Sequence, residues 1–251
     1  MSKIDQVSDK NTTWCFLSDP TNSPATPLNK RLFDTEWLHQ QGFVAGRPKA
    51  GRGNTLFLNI DGTELVLREY LRGGLVQHLN PRYYLWKGLQ STRAFRELDM
   101  LNNCIAKGLP VSIGYACKIE RHGLFYTASL ITHKLEGLTF ADLLANCSIS
   151  VNSANVPEQV WQSIGKAVAR FHSEGIWHAD LNAHNILVQS GVNGNEVSLI
   201  DFDRARTLLP KAPAMKSNIA RLHRSLVKEA GKGGYSFDAG GWANLLQGYE
   251  L

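Results

Sequence analysis

The stretch Ile176-Trp-His-Ala-Asp-Leu-Asn-Ala-His-Asn-Ile-Leu-Val188, a polar turn, and then Leu199-Ile-Asp-Phe-Asp-Arg-Ala-Arg206 decide how the chain is read. His178 stands two residues before Asp180, and Asn185 stands five residues after it. One apolar run ends at Val188 and a second ends on Asp201, which predicts a pair of strands joined by a hairpin. An acid and an amide on one loop, with a second acid at the end of the following hairpin, is a specific constellation.

Phosphoryl transfer needs a carboxylate beside the attacking hydroxyl and separate oxygen ligands that hold magnesium against the phosphates, because its transition state is stabilised by position and charge. Here Asp180 is the candidate base, Asn185 a candidate metal ligand through its amide oxygen, and Asp201 the main charged ligand. That arrangement predicts an ATP-dependent, magnesium-requiring kinase.

His178-Ala-Asp-Leu-Asn-Ala-His-Asn-Ile-Leu and Ile200-Asp-Phe-Asp-Arg resemble the lipopolysaccharide-core sugar kinases, and within them the 3-deoxy-D-manno-octulosonic acid (Kdo) kinases. The resemblance runs from about Gly46 to the C-terminus and includes Arg72-Gly-Gly-Leu75 and Arg221-Leu-His-Arg-Ser-Leu226. It implies an α+β, two-lobed, protein-kinase-like fold with a small antiparallel-sheet N-lobe and a mostly helical C-lobe. The implied acceptor is the Kdo sugar of Kdo-lipid A precursor. A catalytically dead scaffold of the same fold would lose one of the three polar residues, and a small-molecule kinase of the aminoglycoside or choline type would use soluble amino-alcohols.

Other segments fit around this centre. Asp61-Gly62 between two β-rich runs predicts a hairpin, and Gly51 and Gly53 precede its first strand, where backbone N–H groups could approach phosphates. Leu56 occupies the place of the third glycine in the kinase pattern. Leu65-Val-Leu-Arg68 matches the strand that carries the kinase phosphate-binding lysine, with arginine in its place. Alternation puts Val66 and Arg68 on one face. Apolar residues at 94, 95, 98 and 101 predict a helix whose Glu97 would pair with Arg68. The resemblance makes Lys134 and Leu135 the hinge, where backbone groups would bond adenine.

Val156 to Glu174 reads as an amphipathic helix with Val160, Ile164, Ala167, Val168 and Phe171 on its inner stripe. Met215 to Ala230 reads as the last helix, with Ile219, Leu222, Leu226 and Val227 inward. Its basic face, Lys216, Arg221, Arg224 and Lys228, could lie on anionic headgroups. The short interval after Arg206 leaves no room for a phosphorylated peptide-binding segment, and Asp203 replaces the glycine of the kinase metal motif.

Residues 1–35, polar and carrying Pro20, Pro24 and Pro27, predict a loose arm, followed by an N-lobe over 36–132 and a C-lobe over 133–251. Among 251 residues, 43% hydrophobic and 20% charged, the composition is globular. The formal charge of +5 suits an anionic partner. Scattered basic residues without a binding motif argue against nucleic acid. Four dispersed cysteines suit a reducing compartment. With no apolar run of roughly 20 residues, the chain is expected to be cytosolic or held at a membrane surface from the cytosolic side, and the resemblance implies the cytoplasmic side of the inner membrane, held peripherally.

Overall fold

The structure, a computed structural model, describes residues 3–18, 29–48, 55–71, 83–149, 156–191, 194–209, 213–231 and 238–250. Two compact units divide the chain: residues 1–106 with 112–134, and residues 107–111 with 135–251.

The first unit holds β1 (Lys3–Asp9), β2 (Thr12–Ser18), α1 (Thr35–Gln40), β3 (Val44–Gly46), β4 (Thr55–Ile60), β5 (Thr63–Glu69), β6 (Tyr84–Leu85), α2 (Arg93–Ala106), β7 (Gly114–His122) and β8 (Phe125–His133). The strands form an antiparallel sheet in the order β1-β2-β7-β8-β5-β4-β3, with β6 on β8. Asp61 and Gly62 have φ of 51° and 85°, the two left-handed residues that a type I′ hairpin requires. Ile60 accordingly pairs with Thr63. Strand alternation then sends Leu65 and Leu67 into a core with Leu32, Leu38, Leu56, Leu58 and Ile131, leaving Val66 and Arg68 for the other face.

Residues 3–18 are not a loose arm but a strand hairpin. Thr12-Thr-Trp-Cys-Phe-Leu-Ser18 pairs with β7, from Thr12 opposite Glu120 to Phe16 opposite Ala116. Cys15 is fully buried, and the Lys30 ammonium sits 4.3 Å from the Trp14 ring. The mostly exposed β1 dilutes the apolar signal of this hairpin, and the prolines that suggested an arm fall at residues 19–28, outside the described residues. The Asp34 carboxylate accepts the N–H groups of Glu36 and Trp37 at 3.1 and 3.0 Å and starts α1.

The second unit contains β9 (Leu138–Thr139), α3 (Phe140–Ile149), α4 (Glu158–Ser173), β10 (Ile176–Trp177), β11 (Ile186–Gly191), β12 (Gly194–Leu199), β13 (Arg206–Thr207), α5 (Pro213–Ala230) and α6 (Ala239–Glu250). Thr139 and Asp142 cap α3 reciprocally: the Asp142 N–H reaches the Thr139 hydroxyl at 3.0 Å, and that hydroxyl donates to the carboxylate at 2.6 Å. Val160, Ile164, Val168 and Phe171 form the buried stripe of α4. Residues 107–111 are tied to the same unit, where the Pro110 carbonyl accepts from Leu199 at 3.2 Å and the Gly108 carbonyl from Arg170 at 2.6 Å.

Two expectations for the C-terminal region are corrected. Val227 is exposed while Asn218 is buried on α5, because the inner face of that helix is set by a polar anchor as well as by apolar residues. α5 is also followed by another helix, α6. Its glycines let two helix backbones touch. A Cβ on Gly165 of α4 would lie 2.0 Å from the Leu245 carbonyl oxygen, and one on Gly248 of α6 would lie 2.2 Å from that of Gln162. Gly165→Ala is expected to destabilise the protein by about 2 kcal/mol, or about 6 °C in Tm for a chain of this size. An unchanged Tm would mean that α4 and α6 separate without loss.

Candidate active site

The loop after β10 is wound by its own amides. The Asp180 backbone carbonyl accepts from Asn182 Nδ2 and Asn185 Nδ2, both at 2.9 Å, and Asn182 Oδ1 accepts from the His184 N–H at 2.9 Å. Leu181 and Ala183 are fully buried between them. These anchors fix the backbone and turn the Asp180 carboxylate outward, its side chain 42% exposed. With its nitrogen committed to the loop, the Asn185 amide presents its oxygen on the other side.

His178 joins this loop to the second acid. Its Nε2 lies 3.0 Å from the Ile200 carbonyl, and its Nδ1 lies 3.2 Å from the Asp180 N–H. Those two contacts assign the neutral tautomer that carries its proton on Nε2. The Ile200 N–H donates to the Asn185 carbonyl at 3.1 Å, so Asp201 follows directly on a residue bonded to both His178 and Asn185. Asp201 has φ of 62°, a left-handed conformation that few residue types adopt and that aspartate tolerates. Phe202 is buried under it, its ring 5.0 Å from that of His178 and 5.8 Å from that of Phe171.

Asn218 of α5 is the hub behind the loop. Its Oδ1 accepts from the His178 N–H at 3.3 Å and from His172 Nε2 at 3.1 Å, and its Nδ2 donates to the His178 carbonyl at 2.7 Å. His172 Nδ1 in turn meets the Tyr249 hydroxyl at 2.8 Å. Burial lowers the pKa of both histidines below the usual 6.5; the Asn218 bond opposes it at His172, and the Ile200 carbonyl with Asp201 and Asp180 opposes it at His178. The unfolded chain therefore binds protons before the folded one does. Stability from these two rings is complete above about pH 6.5 and is lost as pH falls through their folded pKa values, by up to about 1.4 kcal/mol per pH unit for each. Tm should fall from pH 7 to pH 5, and less steeply in His172→Gln; equal slopes would show that His172 is not held neutral.

In the first unit, Arg68 of β5 is ion-paired with Glu97 of α2. Glu97 is only 4% exposed and also accepts from the Tyr70 hydroxyl at 2.5 Å. Burial first, then the Glu97 carboxylate, hold the Tyr70 phenol well above its ordinary range, so it remains a donor. Tyr70 is a neighbour of this pair that sequence reasoning missed, although the alternation that groups Val66 with Arg68 continues to it.

The structure thus gathers Asp180, Asn185 and Asp201 around His178 in one unit, and Arg68 with Glu97 in the other. Gly51 and Gly53, and the loop from Arg72 to Arg82, lie outside the described residues. The chain passes from one unit to the next between Lys134 and Leu135. The Lys134 N–H is committed to the Glu64 carbonyl at 3.0 Å and its ammonium to the Glu64 carboxylate at 2.8 Å, so a backbone contact from Lys134 to a base would fall to its carbonyl. Asp203 meets Arg204 at 3.9 Å. Among the described residues no group of three or more His, Cys, Asp or Glu gathers that could by itself hold a metal ion. One amide oxygen and one carboxylate, as Asn185 and Asp201 could offer, would suit only a hard ion that keeps waters and phosphate oxygens as its other ligands. Sequence reasoning also missed Asn218 and the placement of Arg221, whose guanidinium donates to the Asp180 carboxylate at 2.6 Å.

A sheet-rich unit, a largely helical unit and this pinned acid-amide-acid loop define a phosphotransferase of kinase-like fold. The profile of the lipopolysaccharide kinase (Kdo/WaaP) family matches residues 35–249, and the chain belongs to that family. A 3-deoxy-D-manno-octulosonic acid kinase from Photobacterium profundum is 40% identical over 88% of this chain and 89% of its own length. One from Haemophilus influenzae (strain PittEE) is 34% identical over 98% and 100%. A solved structure, "WaaP in complex with acyl carrier protein", shares the fold with a TM-score of 0.55 at 14% identity, covering 88% of this chain and 85% of that one.

Proposed function

We propose that this kinase transfers the γ-phosphoryl group of ATP to a hydroxyl of the Kdo sugar on Kdo-lipid A precursor. The names of the relatives and the extent of the match support the acceptor. The observation that carries the chemistry is the exposed Asp180 carboxylate on a loop pinned by Asn182, Asn185 and His178. Asp180 orients the acceptor hydroxyl and takes its proton. Asn185 and Asp201 would hold magnesium, whose chemistry there would be to offset charge on the phosphates. Arg68, steadied by Glu97, would bind phosphate oxygens, to which Gly51 and Gly53 would offer backbone N–H groups, and backbone groups of Lys134 and Leu135 would receive adenine.

The test is incubation of the purified protein with ATP and magnesium, offering Kdo-bearing lipid A precursor or soluble amino-alcohols, with mass spectrometry of the products. A phosphate on the Kdo residue is the expected result; phosphate on amino-alcohols alone would overturn the reading.

We also infer peripheral binding to the cytoplasmic face of the inner membrane. No helix among the described residues is long and apolar enough to cross a bilayer. Lys216, Arg224 and Lys228 are exposed on α5 and suit anionic headgroups. Co-sedimentation with anionic vesicles should weaken as salt rises; salt-independent binding would count against a charge-driven contact.

A further inference from the structure

We propose that Arg221 is the cation of the reacting centre, fixing Asp180 with one N–H while its other donors face the phosphoryl group in transit. The inference rests on the kinase reading of the Asp180 loop. From Ile176 to Asp203 there is no lysine or arginine, so the loop brings an acid toward a polyanionic phosphate with no positive charge of its own. The charge comes instead from α5. Arg221 Nη2 lies 2.6 Å from Asp180 Oδ1, and its side chain remains 48% exposed, which leaves guanidinium donors turned to solvent on the side where Asp180 also opens.

The placement is not incidental. Asn218, one turn earlier on the same face of α5, is bonded to the backbone of His178 on both sides. One residue of α5 therefore sets the loop backbone, and the next along that face sets the position of the Asp180 carboxylate. An ion pair this exposed contributes little to folding, so stability does not account for it.

In the transfer step the bond from the acceptor oxygen to the γ-phosphorus forms as the bond from that phosphorus to the bridging oxygen of the nucleotide breaks. The hydroxyl proton passes to Asp180, and the nucleoside diphosphate leaves with the bridging oxygen. As Asp180 becomes neutral, the Arg221 charge is left to the phosphoryl oxygens. The planar fork suits both contacts at once.

The test compares wild type, Arg221→Ala and Arg221→Lys in steady-state transfer, with Tm as the folding control. Arg221→Ala is expected to lose about 100-fold in kcat, with KM for ATP and acceptor within about threefold. Arg221→Lys should recover a large part of that loss, and guanidinium ion added to Arg221→Ala should restore rate saturably. A kcat close to wild type, a loss confined to acceptor KM, or no recovery by lysine or guanidinium would each overturn the inference. Should wild type refuse the Kdo acceptor, the proposed substrate fails separately; the same split is then read in slow phosphoryl transfer to water.

Discussion

Asp180→Ala is expected to lower kcat by about 10³-fold while leaving ATP affinity within about threefold. The carboxylate is partly exposed, and the contacts that shape the loop use the backbone of Asp180, not its side chain. Removing it should therefore spare the fold and the residues proposed to bind phosphate while deleting the proposed proton acceptor. Asp180→Asn, which keeps the shape and one hydrogen-bond acceptor, should be nearly as impaired, because an amide oxygen takes no proton at this pH. Titration with a non-hydrolysable ATP analogue, run beside transfer kinetics, separates binding from chemistry. Wild-type turnover in either variant would remove Asp180 from the mechanism.

Arg68→Met is expected to act in the opposite way, on stability and nucleotide binding together. Glu97 is almost wholly buried, and breaking a buried pair from one side leaves a carboxylate whose desolvation is no longer offset, at a cost of about 3 kcal/mol. The Tyr70 hydroxyl, 2.5 Å away, compensates in part. Combining Arg68→Met with Glu97→Leu should recover most of the lost stability, since apolar replacements of a buried pair are often neutral. It should not recover ATP affinity. Urea unfolding and analogue titration of both variants check this; recovery of affinity in the double variant would mean that Arg68 serves the fold alone.

Much of the arrangement around His178 was legible because it is local. Asp180, Asn185 and Asp201 lie within one loop and the hairpin that follows it, so their spacing survives as a pattern in the chain. The Asp61-Gly62 turn and the inner stripe of α4 were legible for the same reason, since each follows from short-range backbone geometry. What the sequence hid depends on contacts between distant elements. The β1–β2 hairpin is stabilised by pairing with β7, about a hundred residues later. α6 is a helix because glycines on two helices let their backbones meet, whereas glycine taken alone reads as a break. Arg221 read as part of a basic face for anionic headgroups, and only the fold of α5 against the loop brings it to Asp180.

The central claim is that His178 draws Asp180, Asn185 and Asp201 into one phosphate-handling centre. The most direct test is paramagnetic broadening by manganese(II) added with an ATP analogue, followed by NMR of the assigned side-chain amide of Asn185 and the backbone amides of Asp201 and Phe202. The account predicts that these signals broaden first in wild type and that the effect disappears in Asp201→Ala. Broadening centred elsewhere, or unchanged by Asp201→Ala, would contradict it.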